Sequence, residues 1–65
     1  MEIIVNGEKT TIEEMSVLSF LRKIEIDPRR VAVELNLDIL PKDRYETTTL
    51  KDGDEVEIVY FVGGG

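Results

Sequence analysis

The sequence predicts a two-layer α+β domain in which a mixed sheet of four to five strands packs on one main helix. Three observations lead there. A strand–turn–strand pattern opens the chain, a single short amphipathic helix follows, and every later apolar run has the period of a strand. Length sets the scale: 65 residues make one domain. A domain this small buries only about 60% of the surface its unfolded chain exposes. Its stability is therefore a modest difference between large opposing terms.

Each element has its own signal. Residues 1–5 read as a strand, with Ile3 and Val5 on one face. Asn6-Gly7 follows, and both residues tolerate the positive φ that a two-residue hairpin turn demands. The partner strand is expected over residues 8–12. Ser16 can cap the helix, and Val17, Leu21 and Ile24 fall at the i, i+4, i+7 spacing of one face, with Phe20 beside them. Arg22 and Lys23 suit the negative end of the helix dipole. Asp27-Pro28 is expected to stop the helix, because the residue before proline is pushed out of helical geometry.

The second half reads as strands. Val31, Val33 and Leu35 share a face at period two. Ile39-Leu40 is at most a very short strand, halted by Pro41. Residues 41–49 are polar and irregular, with Tyr45 as an anchor. Leu50 plugs the core before a turn at Lys51-Asp52-Gly53-Asp54. A last strand runs from Glu55 to about Phe61. The order is hairpin, helix, strand, short strand, loop, strand. That is the order the β-grasp, or ubiquitin-like, fold requires, with its first and last strands parallel at the sheet centre. The domain is expected over residues 1–61, and residues 62–65 form a flexible C-terminal glycine tail.

Composition narrows the function. With 42% apolar and 34% charged residues, the chain is composed like a folded protein and not a disordered one. It has no cysteine, so the core alone must hold the fold. No apolar run approaches the roughly 20 residues of a membrane span. The N-terminus lacks a secretory signal pattern. These features fit a cytoplasmic protein. The net charge of −6 would repel phosphate backbones, so nucleic acid is excluded as a partner. The acidity either favours a partner with a basic face or serves solubility alone.

The last strand breaks its own pattern. Val56, Ile58 and Tyr60 fall on one face, and Glu55, Glu57, Val59 and Phe61 on the other. A half-buried strand should be polar on its outer face. Glu55 and Glu57 obey, whereas Val59 and Phe61 do not. Either sheet twist lets these two side chains pack at the core edge, or they form an exposed patch that docks a partner. The break comes just before Gly63-Gly64-Gly65. A frayed end has no need of glycine in particular. Glycine gains an advantage where a backbone must enter a narrow passage. Four extended residues from Val62 to Gly65 reach roughly 13 Å, far enough to enter a neighbouring enzyme's active site.

The side chains offer no obvious catalytic group. There is neither His nor Cys, hence no ordinary nucleophile–base pair. Among the close carboxylates, Glu13-Glu14 precedes a helix and Asp52-Asp54 sits in a turn, each a common solvated placement. No metal or bound cofactor is expected. The reactive group that remains is the C-terminal carboxylate. Joined to AMP it gains a good leaving group, after which sulfur would give a thiocarboxylate and a lysine amine an isopeptide bond.

At this point the chain resembles the ThiS family of small sulfur carriers in thiamine thiazole synthesis. The resemblance rests on Val5-Asn6-Gly7-Glu8, Ala32-Val33-Glu34-Leu35-Asn36, Asp52-Gly53-Asp54 and the closing Phe61-Val62-Gly63-Gly64-Gly65. Leu37-Asp38 departs from it, where the family often has a more polar or glycine-containing turn. The resemblance implies that a ThiF-like activating enzyme, using ATP and magnesium, adenylates Gly65. Sulfur from a cysteine-desulfurase persulfide then leaves a thiocarboxylate, which a ThiG-like thiazole synthase consumes. In this scheme Gly63 and Gly64 thread the tail, and Val59, Phe61 and Val62 dock the partner. A MoaD-like carrier for molybdopterin, tungstopterin or sulfur amino acids would share this chemistry. A ubiquitin-like protein modifier would use the same terminus differently.

Overall fold

The computed structural model describes residues 1–61. Strands β1 (Glu2–Val5) and β2 (Glu8–Thr11) form the opening antiparallel hairpin. Asn6 and Gly7 between them take φ of 47° and 84°. These are the two left-handed conformations that let a two-residue turn follow the strand twist.

Helix α1 (Val17–Lys23) buries Val17, Phe20 and Leu21. Its start is fully partnered over the first three amides. The Val17 N–H donates to the Thr48 carbonyl at 2.9 Å and the Leu18 N–H to that of Tyr45 at 2.9 Å. The Ser19 N–H donates to the Ser16 hydroxyl at 3.1 Å. Two of these three donors, which a helix cannot satisfy internally, are thus met by the irregular segment after Pro41. That segment is pinned from its other side by Tyr45, which lies in the core.

The helix ends earlier than Asp27-Pro28. Ile24 caps it, and Glu25 turns the chain at φ 62°. The Glu25 N–H reaches the Arg22 carbonyl at 3.0 Å and the Ile26 N–H that of Leu21 at 2.9 Å. This is a Schellman ending with glutamate where glycine is usual. Ile24 is consequently left at the core margin, 38% exposed, and Phe20 takes the central place on the buried face. Asp27 instead opens a single 3-10 turn, Pro28–Arg30.

Strands β3 (Val31–Leu35), β4 (Asp38–Leu40) and β5 (Glu55–Tyr60) complete a five-stranded mixed sheet of order β2-β1-β5-β3-β4. β1 and β5 are parallel and every other pair is antiparallel. The helix and the Tyr45 and Leu50 side chains cover one face, against Ile3, Val31, Val33, Val56 and Ile58. Tyr60 departs from its expected place. It stands at the last pair of the ladder, opposite the buried Val31, but is 57% exposed. The core closes over Val31 and leaves the larger ring at its margin.

A second tight turn joins β3 to β4. Asn36 and Leu37 adopt φ of 52° and 73°, the same pair of left-handed conformations as Asn6-Gly7. Leucine is a poor occupant, because its Cβ crowds the following carbonyl there, and its side chain is 82% exposed. Leu37→Gly should therefore stabilise the fold by about 0.5–1 kcal/mol. Gly7→Ala should destabilise it by about 1 kcal/mol for the same reason, since no atom lies within 4 Å of the added methyl. Urea unfolding midpoints of the two variants check both signs.

Candidate functional site

β5 occupies the sheet centre, and asparagine side chains fasten it to both neighbours. On the β1 side, the Asn6 amide accepts from the Ile58 N–H at 2.7 Å and donates to the Ile58 carbonyl at 3.1 Å. It acts as one more peptide unit of the parallel ladder. On the β3 side, the Asn36 side chain accepts from the Glu55 N–H at 2.9 Å and donates to Asp54 at 3.0 Å. The turn before β5 is held in the same way. Asp52 accepts the Glu2 N–H at 2.7 Å, and Asp54 accepts the Lys51 N–H at 2.7 Å. These two carboxylates are committed to backbone donors.

The uncovered face of the sheet carries rows set by register. Ile39, Glu34 and Glu57 form one row, and Ala32 and Val59 the next. Ile4 and Glu55 pair beside them. Glu34 and Glu57 stand directly opposite each other, an arrangement that costs stability. Among the described residues, ion pairs involve Asp27 alone, with Arg29 at 3.0 Å and Arg30 at 3.9 Å. The face therefore pairs a carboxylate cluster with exposed apolar groups.

Val59 is 49% exposed and Phe61 59%. Neither belongs to the core, so both present apolar surface at the end of β5. Ile39 and Leu37 add more at the β3–β4 end, 76% and 82% exposed. The Phe61 N–H donates to the Arg30 carbonyl at 3.0 Å, one bond beyond the last strand pair. Val62, Gly63, Gly64 and Gly65 lie outside the described residues. A shallow depression of about 260 Å³ is lined by Leu18, Pro28, Arg29, Lys42, Asp43, Tyr45 and Glu46. It falls short of the usual range for a small-molecule site, about 300–1,000 Å³. No helix of the described residues is long and apolar enough to cross a membrane.

One contributor was invisible in the sequence. Lys42, within the polar segment after Pro41, donates from Nζ to the Pro28 and Val31 carbonyls at 2.7 and 2.8 Å. The same ammonium lies 5.1 Å from the centroid of the Phe61 ring. The 3-10 turn beneath it depends on Asp27, whose carboxylate accepts the Arg29 N–H at 2.9 Å and pairs with the Arg29 guanidinium.

A five-stranded mixed sheet whose first and last strands pair in parallel at its centre, with one covering helix among the described residues, defines a β-grasp domain. Comparison with known proteins narrows the class. The ThiS family model matches residues 3–65. The crystal structure of a thiamine biosynthesis protein (ThiS) from Geobacter metallireducens superposes with a TM-score of 0.87 at 39% identity, covering 100% of both chains. The sulfur carrier protein ThiS of Bacillus subtilis is 40% identical over 50 residues, covering 77% of this chain and 76% of that protein. A thiazole synthase of Paramagnetospirillum magneticum is 44% identical over 66 residues, and the chain spans only 20% of its length. The chain belongs to the ThiS family.

The site makes an acid-stability prediction. Hydrogen bonding from Arg29, with its nearby charge, lowers the Asp27 carboxyl from its ordinary 3.8 to about 2. A lowered folded-state value contributes stability that is present above the unfolded value and is lost as pH falls through the folded one. Wild type should therefore lose stability between about pH 4 and pH 2 through this group. Asp27→Asn should be less stable at neutral pH and show a shallower loss across that window. Thermal unfolding at a series of pH values measures the difference.

Proposed function

We propose that this protein is a sulfur carrier of thiamine thiazole synthesis whose working group is the carboxylate of Gly65. The observation that carries the reading is the family match, which extends through Gly65. The seating of β5 supports it. The strand that leads to the glycines is hydrogen-bonded to β1 on one side and to β3 on the other, and Val59 and Phe61 leave its end exposed and apolar.

The chemistry follows from what a carboxylate lacks. Ionised, it is a poor electrophile. A ThiF-like partner would join it to AMP, releasing pyrophosphate from magnesium-bound ATP. A persulfide formed by a cysteine desulfurase then attacks the acyl carbon and expels AMP, giving an acyl disulfide. A second thiol attacks the donor's sulfur, which leaves the thiocarboxylate on Gly65 and a disulfide on the donor side. The chain has no cysteine of its own, so both thiols come from partners. A ThiG-like thiazole synthase receives the sulfur, and the reaction takes place in the cytoplasm, where ATP is supplied. The protein is a co-substrate in this scheme, not a catalyst, and binds no cofactor itself.

Docking divides between two kinds of contact. Val59, Phe61 and Val62 supply apolar area beside the tail, and Gly63 and Gly64 let a bare backbone enter a narrow site. Glu34, Glu55 and Glu57 on the open face favour a partner surface rich in Lys and Arg, which speeds encounter. Burying these carboxylates against basic groups would also relieve the Glu34–Glu57 repulsion.

Incubation with the activating enzyme, ATP and a sulfur donor should raise the intact mass by the difference between sulfur and oxygen. Deletion of Gly65 should abolish the change, and an unaltered mass with demonstrably active enzyme would sink the reading. Phe61→Asp should weaken binding to the activating enzyme at least tenfold, about 1.4 kcal/mol, with the melting temperature nearly unchanged. A large drop in melting temperature would place Phe61 in the core.

A further inference from the structure

We infer that Lys42 is a positioning residue: it holds the Phe61 ring in the orientation an activating enzyme engages. The inference rests on the proposed carrier role for its consequence, though the contact itself does not. Lys42 Nζ has three donors. Two are spent on the Pro28 and Val31 carbonyls, at 2.7 and 2.8 Å. Those bonds anchor the ammonium on the 3-10 turn and the first residue of β3. From there the charge lies 5.1 Å from the Phe61 ring centroid, within reach of its negative face.

The arrangement is unusual for an exposed lysine. An ammonium on a flexible stem ordinarily stays in water. Here it is fixed at a point where it adds little to the core, because Phe61 is 59% exposed. What it adds is order at the end of β5. The ladder's last pair is Val31 with Tyr60. Beyond it, among the described residues, one backbone bond holds the chain, from the Phe61 N–H to the Arg30 carbonyl at 3.0 Å. A single terminal bond frays readily. Residues 28–31 thus grip Phe61 twice, directly through Arg30 and indirectly through Lys42 from Pro28 and Val31. Asp27, which caps the turn, is the base of that grip.

A partner that must find the ring in one place binds more weakly in proportion to the fraction of time it is elsewhere. Lys42→Met keeps the stem and removes the ammonium, whereas Lys42→Arg restores a cation. In the free protein, Lys42→Met should lower the amide order parameter of Phe61 towards the mobile range, below about 0.6, with β5 itself unchanged. Lys42→Arg should return it. With the activating enzyme, Lys42→Met should raise KM for the carrier about two- to fivefold at constant kcat, and Lys42→Arg should restore KM. Phe61→Leu, which removes the aromatic face, should raise KM equally, and the double variant no further. Unchanged Phe61 order in Lys42→Met overturns the contact. Altered order with unchanged KM overturns the positioning role, as does a Phe61→Leu variant with wild-type KM if Lys42→Met fails to fold. A wild-type chain that the enzyme never adenylates refutes the carrier role instead, and the order parameters still decide the contact.

Discussion

The parallel pairing of β5 with β1 is the constraint on which the rest of the structure depends. It joins the two ends of the sequence, so it closes almost the whole chain into a loop and carries the full entropic cost of doing so. Only two residue pairs make up its register, Ile4 with Glu55 and Val5 with Val56. Asn6 lengthens it with a side chain in place of a peptide, bonding both the N–H and the carbonyl of Ile58. At about 1 kcal/mol net per hydrogen bond, those two contacts form an appreciable part of what a domain this small has in reserve. They also explain why Asn6 serves twice, once for its left-handed φ and once for its amide.

Placing the last strand in the centre and not at an edge has a mechanical consequence. Hydrogen bonds flank β5 on both sides, and its inner face is buried at Val56 and Ile58. A pull or push on residues beyond Phe61 would be resisted by two ladders at once. A terminal strand at an edge would be resisted by one and would offer unpaired backbone to unwanted partners. The sheet can therefore serve as a rigid platform even though the helix on it has only seven residues. The helix owes its stability to Phe20 and Leu21 in the core, not to its length, since isolated helices of this size do not persist.

Much of this was legible in the sequence because it rests on local chemistry. Asn6-Gly7 announces its turn through φ preferences, and Ser16 announces a helix start through its hydroxyl. The period-two pattern of Val31, Val33 and Leu35 announces a strand. The boundaries that shifted did so where tertiary bonds prevailed over local signals. The helix stops at Lys23 because Glu25 and Ile26 find carbonyl partners, and no composition rule puts glutamate in that conformation. Tyr60 follows the alternation of β5 but outgrows the space at its end. In the polar segment after Pro41 the sequence marks Tyr45 as an anchor, but not the rest of its role, which is carried by backbone carbonyls, at Tyr45 and Thr48, and by one lysine whose partners are far away in sequence. Register across a sheet, such as Glu34 facing Glu57, is likewise absent from any single strand's pattern.

Besides Glu25 in its left-handed conformation at the helix end, three features of the fold run against stability, and all lie on the exposed side. Leu37 occupies a left-handed turn position that glycine would fill more easily. Glu34 and Glu57 face each other with like charge. Val59, Phe61, Ile39 and Leu37 leave apolar surface in water. A core defect would have no comparable gain, because buried groups are out of reach of any partner. Surface strain and repulsion can be relieved on binding, and whatever relieves them gains the corresponding free energy as affinity. The burden runs along the exposed side, from Leu37 beside the start of β5, through the Glu34–Glu57 pair, to Val59 and Phe61 at its end, while the buried core is closed without an unpartnered buried polar side chain among the described residues. That division follows from the small size of the chain. With so little core to stabilise it, the domain carries these costs at its surface, where a bound partner would recover them.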